Sequence, residues 1–277
     1  MATGEDEPAT EPVLTTVLDR LGPVSDAHLQ ATTIGPRQLL VELEVDGQRV
    51  AGVAHRPEGT PPDGLDTVDR LLDGIESNRA APLERALGIA TLNALSAPHL
   101  AWDWGDPMAA LTDAVDRIAT VGLFRPALRK FDDVTVNVVE RVPDGIDPAS
   151  IDAPDSVRLT LFGPDRREAA LADADVVFVT GSTLIYGGLA GYLRAAPARA
   201  TIVLVGATAS FLPEPAFEAG IDVLAGVAVT DIDTAAAGIA TGDCGTDLHE
   251  SGLKKGFVAA DRTPRLDFSP DSGVGLE

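Results

Sequence analysis

Five strand-length apolar runs set the grammar of the second half of the chain: IATVGLF (118–124), VTVNVVE (134–140), DVVFVTG (175–181), ATIVLVG (200–206) and IDVLAGVAV (221–229). They are apolar almost throughout rather than at alternate positions, so both faces of each strand need cover. The intervening segments 124–130, 165–173, 184–196, 213–219 and 231–240 read as helices. Strands buried on both faces and separated by helices build a parallel sheet with right-handed crossovers. A shorter run, VRLTLF (157–162), fits as a further strand after the Pro- and Asp-rich loop 142–156. From about Met108 the chain therefore reads as α/β, with a Rossmann-like, mostly parallel sheet.

The residues before Met108 follow another pattern. A helix at 11–21 stops at Gly22-Pro23, and a strand is expected near 27–34. LLVELEV (39–45) alternates apolar and acidic residues, and Asp46-Gly47 turns it into RVAGVAH (49–55). Helices follow at 66–77 and 82–96, the second with a broad apolar face. The order β-β-β-α-α marks a smaller α+β domain. The expected division is a disordered 1–10, an α+β domain over 11–107, the Rossmann-like domain over 108–261 and a loose tail over 262–277.

Charge limits the partners. The chain of 277 residues has 43 Asp and Glu against 21 Lys and Arg, a formal net charge of −22. Lysine occurs only at Lys130, Lys254 and Lys255. Such a surface repels nucleic acid and anionic membrane, and suits a protein in high salt, where ions screen self-repulsion. The single cysteine, Cys244, rules out an intramolecular disulfide and fits a reducing compartment. The acidic start MATGEDEPATEP lacks the apolar stretch of a signal peptide, and no apolar run reaches 18 residues. The expectation is a halophile's cytoplasmic protein with no nucleic-acid or membrane partner. Homo-oligomerisation stays open.

In an open parallel sheet, ligands bind at the carboxyl ends of the strands. Here those ends carry Gly122, Glu140-Arg141, Thr180-Gly181-Ser182-Thr183, Gly206-Ala207-Thr208-Ala209-Ser210 and Leu224-Ala225-Gly226. Glycine allows close backbone approach, Ser182 and Thr183 offer hydroxyls, and a following helix N-terminus favours an anion. A capped strand-to-helix turn would look the same. The loop after the first run has one glycine, not G-x-G-x-x-G, which disfavours NAD; Glu140 stands where a ribose-binding acid would, though a solvated strand end also explains it. Neither a phosphate-binding G-x-x-x-x-G-K-[ST] loop nor a G-x-S-x-G elbow is present.

Metal ligands are sparse. Asp243, Cys244, Asp247 and His249 lie within seven residues, which makes Cys244 and His249 weak metal candidates against the alternative of a plain polar loop. His55 and His99 read as boundary residues. Asn93 sits among apolar neighbours on helix 82–96, where an unpaired amide is costly; it is either an internal hydrogen-bonding residue or one facing a cleft. Trp102 and Trp104 flank the junction, where packing is the simpler role.

ERALGIATLNALS (84–96), ATVGLF (119–124), ADVVFVTGSTL (174–184), VLVG (203–206), FLPEP (211–215) and DVLAGVAVTD (222–231), in this order over roughly residues 10–260, resemble the Rossmann-like family described as putative heavy-metal chelation. The resemblance implies an enolase N-terminal-like α+β domain joined to a Rossmann-like domain, with a site in the cleft between them. It also implies roles near that cleft for Asn93, Gly122, Thr180, Gly181, Thr183 and Gly206, to which the loop reading adds Ser182. Two positions depart from the family pattern: Tyr186 stands where Asn is common, and Ala207 where Pro is common. The leading expectation is chelation of a heavy-metal ion, or binding of a metallocofactor-related small anionic molecule or metal chelate. The alternatives are a nucleotide- or S-adenosylmethionine-dependent enzyme and a non-catalytic carrier. Gly181→Val is expected to block the ligand with the fold intact.

Overall fold

Both halves of that grammar are realised in a computed structural model, which describes residues 11–61, 63–242, 252–261, 263 and 265–268. The amino-terminal part comprises α1 (Pro12–Leu21), an antiparallel sheet of β1 (Ala27–Ile34), β2 (Gln38–Val45) and β3 (Gln48–His55), then α2 (Val68–Glu76) and α3 (Pro82–Ser96). Local chemistry starts the two later helices. Thr67 Oγ1 accepts from the Arg70 amide at 3.3 Å, and Glu84 carboxylate accepts from the Ala81 amide at 2.7 Å beside Pro82.

The remainder forms an eight-stranded sheet. Its strands are β4 (Asp103–Trp104), β5 (Arg117–Val121), β6 (Thr135–Val139), β7 (Arg158–Phe162), β8 (Val176–Thr180), β9 (Thr201–Val205), β10 (Val223–Val229) and β11 (Leu253–Ala259). The spatial order is β4-β11-β10-β9-β8-β5-β6-β7, with β5 to β10 mutually parallel. Read along the chain this is the doubly wound order, and strand direction of growth reverses between β5 and β8. Gly122, Glu140, Gly181 and Gly206 accordingly follow their strands at one edge. The helices are α4 (Arg125–Leu128), α5 (Arg167–Leu171), α6 (Thr183–Tyr186), α7 (Leu189–Ala195), α8 (Glu214–Glu218) and α9 (Ile232–Thr241).

Three features differ from expectation. The helix expected over 184–196 is two pieces, because Gly187 and Gly188 take φ of +83° and +98° and end α6 after one turn. The expected end of the fifth run, at Gly226, is mid-strand: β11 pairs with β10 as far as Val229. Gly226 lies opposite Gly256, and Trp102 lies across both; a Cβ on Gly256 would stand 2.9 Å from the indole. The tail is not loose over 265–268. Leu266 pairs with Leu111 and is buried, and Phe268 stacks on Phe257 with centroids 4.3 Å apart, so two apolar side chains anchor it.

One core runs from the small sheet into the large one. Leu39, Val41 and Leu43 of β2 and Leu87, Ile89 and Leu92 of α3 pack with Val121, Val179 and Leu204. Gly52 makes this possible, since any Cβ there would run into the α3 backbone at Ala90, Asn93 and Ala94. Phe131, Val136, Val138, Phe178 and Val223 fill the other face of the large sheet, and Ala235 and Ile239 of α9 cover Leu40 and Val53. Among the described residues no helix is long and apolar enough to cross a membrane.

Candidate functional site

The carboxyl edge at the β5–β8 reversal is built by small residues that let three loops meet. Gly122, at φ +96°, brings the loop after β5 so close to β8 that a Cβ would lie 3.1 Å from Thr180 Cγ2. Its amide donates to Val139 O at 2.9 Å. In the next loop the Thr183 hydroxyl donates to Thr180 O at 2.8 Å, and the Thr180 and Ser182 hydroxyl oxygens are 3.1 Å apart. The loop uses part of the expected anion cradle for itself. The helix is a single turn, the Ser182 amide donates to Thr180 Oγ1 at 3.4 Å, and the Thr183 hydroxyl is spent inside the loop. Gly181 does not face open space either: a Cβ there would stand 3.1 Å from Thr208 Cβ and 3.3 Å from the Ala209 nitrogen. Its glycine serves loop packing. Gly206, at φ +123°, turns the chain after β9, its amide donating to Ala225 O at 2.9 Å.

Asn93 joins the two sheets. Its Nδ2 donates to Val53 O at 2.9 Å and faces Ala207 O and Thr208 O, each at 3.3 Å. The residue is 2% exposed, and its Oδ1 has no partner. The structure thus brings Asn93 and Gly181 onto the same 207–209 loop, with Asn93 as an internal clamp rather than a residue lining open space. Thr208 adds a second link, its hydroxyl accepting from the His55 amide at 3.0 Å.

The accessible polar groups at this edge are ones to which sequence reasoning gave no binding role. His55, exposed at the end of β3, places Nε2 3.4 Å from the Tyr186 hydroxyl, with ring centroids 6.2 Å apart. Over the Tyr186 ring lies the Arg141 guanidinium, 4.1 Å from the centroid. Crowding by neighbouring atoms pushes the His55 imidazole below its usual range, and the Arg141 charge pushes the same way. Glu140 is not simply solvated: its Oε1 accepts from the Leu123 amide at 2.7 Å and its Oε2 from the Arg141 amide at 3.3 Å. The acid therefore ties down the loop after β5. The one available signal was position, since His55 ends β3 and Arg141 lies two residues beyond β6.

Two open concavities of about 220 Å³ each lie instead at the opposite, amino-terminal edge. One is lined by Asp116, Arg117, Asp173, Asp175 and Arg199. Several of its groups are engaged within the chain. Arg117 pairs with Asp173 at 3.0 Å, and Asp175 accepts from the Asp116 and Arg117 amides at 3.1 Å. Open α/β sheets bind ligands at the carboxyl ends of their strands, which makes the carboxyl edge the candidate site.

Among the described residues, no group of three His, Cys, Asp or Glu side chains is placed to hold a metal ion. His55 shares its surroundings with a guanidinium, which opposes a bare cation. Cys244 and His249 lie outside the described residues.

Comparison with known proteins agrees with the fold. An uncharacterised protein of Methanocaldococcus jannaschii is 28% identical over 213 residues, covering 70% of this chain and 76% of its own length. Two crystal structures of DUF364 proteins of unknown function each align over 90% of this chain and 98% of theirs. The one from Pyrococcus horikoshii has a TM-score of 0.71 at 22% identity, and the one from Desulfitobacterium hafniense 0.66 at 18%. Residues 107–257, more than half of the chain, match the family model itself, and the chain belongs to the DUF364 family, described as "Putative heavy-metal chelation".

Proposed function

We propose that the chain binds a small anionic molecule, free or as the anionic part of a metal chelate, at the carboxyl edge between β5 and β8. The carrying observation is Arg141, an exposed guanidinium stacked on Tyr186, whose hydroxyl meets His55, and making no ion pair among the described residues. In a chain with two carboxylates for each cation, an arginine set on an aromatic face is available to an external anion. Gly122, Thr180, Ser182 and Gly206 form the floor, while Asn93, Gly181 and Thr183 hold the loops in register. Heavy-metal chelation, on this reading, means handling a metal already held by an anionic small molecule, because the described residues fit an anion and not a bare ion.

Residues 11–107 and 108–261 are read as the two domains, the first an enolase N-terminal-like cover that supplies His55. The nucleotide alternative is weaker, because Glu140, the residue positioned for a ribose, already accepts from Leu123.

The test is mass spectrometry and elemental analysis of small molecules released from untagged protein. An organic anion should leave with the wild type and be missing from Arg141→Gln, any metal following the anion. Metal retained without an organic anion, or unchanged ligand in Arg141→Gln, would reject the reading.

A further inference from the structure

Arg141 is not alone in its unusual setting. Several cations elsewhere face carboxylates, as Arg20 meets Glu218, Arg49 meets Glu42 and Asp233, and Arg129 meets Asp152, while Arg125 and Arg199 donate to backbone carbonyls. Arg166 instead lies over the Phe162 ring, 5.1 Å from its centroid, is exposed, and makes no ion pair among the described residues. The two stacked arginines follow neighbouring strands. β6 and β7 are parallel with Val139 opposite Phe162, and the Glu140 amide donates to Phe162 O at 2.9 Å. Arg141 and Arg166 therefore leave the same edge from strands about 4.8 Å apart. A third such pair, Lys254 over Trp104, belongs to the antiparallel margin at the other side of the sheet. Arg167, next in the chain, is committed to a contact with Glu168 and lies against Gly191.

Aromatic stacking fixes the plane of a guanidinium while leaving its N–H edge open, which is the arrangement that grips a carboxylate or phosphate. The Glu140 carboxylate, next to Arg141 beyond the end of β6, is already occupied by two amides.

We propose that Arg166 forms a second anionic subsite beside Arg141, so that the ligand carries two anionic groups, either phosphates or carboxylates. This rests on the reading of Arg141 given above and adds the substrate class.

The test is calorimetric titration of the full chain in molar KCl with inorganic phosphate, pyrophosphate and citrate, for wild type, Arg141→Gln and Arg166→Gln. A two-group probe should bind the wild type at least tenfold more tightly than phosphate. The better of pyrophosphate and citrate then names the anion type. Arg166→Gln should reduce that probe to the phosphate level and leave phosphate binding unchanged, whereas Arg141→Gln should weaken all probes. Unchanged melting temperature in Arg166→Gln confirms that an exposed side chain was removed without unfolding. If phosphate binds but two-group probes bind no better, or Arg166→Gln binds them like wild type, the second subsite is overturned and Arg141 stands. If none of the probes binds, both are overturned.

Discussion

Replacing Asn93 by Asp keeps its volume and exchanges two donor hydrogens for a carboxylate oxygen. In the native protein Nδ2 faces three carbonyl oxygens, Val53 O at 2.9 Å and Ala207 O and Thr208 O at 3.3 Å, with the residue 2% exposed. Only the amide nitrogen can face three acceptors, so the side-chain orientation follows from the network. A carboxylate there would meet three carbonyl dipoles with no water, and an uncompensated buried charge costs about 3–5 kcal/mol. Asn93→Leu should cost less. It also removes the donors, at roughly 1–3 kcal/mol for stranded carbonyls, but it removes the unpartnered Oδ1 as well. Urea unfolding in molar KCl, followed by tryptophan fluorescence, measures both. The order wild type, Asn93→Leu, Asn93→Asp should hold at pH 7. The Asp variant should regain stability as pH falls, because the folded state favours the protonated acid and therefore binds more protons than the unfolded one. An Asn93→Asp protein within about 0.5 kcal/mol of wild type would refute the clamp, since that is the range of changes at indifferent surface positions.

Gly181→Val should lower stability by about 1–3 kcal/mol through overpacking against Thr208 and Ala209; an unchanged melting temperature would contradict the loop-to-loop contact. Glu11 is buried, and that burial raises its carboxyl to about 7 despite the opposing charge of Arg85, so ionisation disfavours the folded state. Stability should therefore fall as pH rises from about 4.5 to about 7, and the difference between wild type and Glu11→Gln in pH-dependent unfolding should show that slope; parallel curves would exclude it. With a net charge of −22, melting temperature should rise from dilute buffer to molar KCl, and a flat or falling series would reject the proposed adaptation to salt.

The parallel sheet was legible because β5, β6, β8 and β9 are apolar on both faces, a property that belongs to the strand itself. β4 and β11 were not, for physical reasons that can be named. β4 has only two residues, and β11, LKKGFVA, places two lysines and a glycine where an apolar run would have announced a strand. Its pairing is dictated from outside, by Gly226 opposite Gly256 and the indole of Trp102 laid over both. The break between α6 and α7 was visible as Gly187-Gly188, yet its effect depends on backbone angles that spacing alone does not determine.

The site was half legible for a related reason. Gly122, Thr180, Gly181, Ser182, Thr183 and Gly206 follow strand ends, and parallel pairing places all strand ends at one edge, so local pattern sufficed to bring them together. What each contributes was misread where a neighbouring loop decides it, as with Gly181 and the 207–209 loop. His55, Arg141 and Tyr186 come from three separate segments, and only the reversal of strand order between β5 and β8, together with the packing of β3 over that edge, makes them neighbours. Composition nevertheless held a clue. With 43 acidic and 21 basic residues, carboxylates are plentiful, and Arg20 and Arg49 are paired with them. Arg141 and Arg166 lie instead on aromatic faces at the edge proposed to bind the ligand, with no ion pair among the described residues. It is the stacking, which fixes the guanidinium plane and leaves its N–H edge open, that fits these two arginines to an external anion.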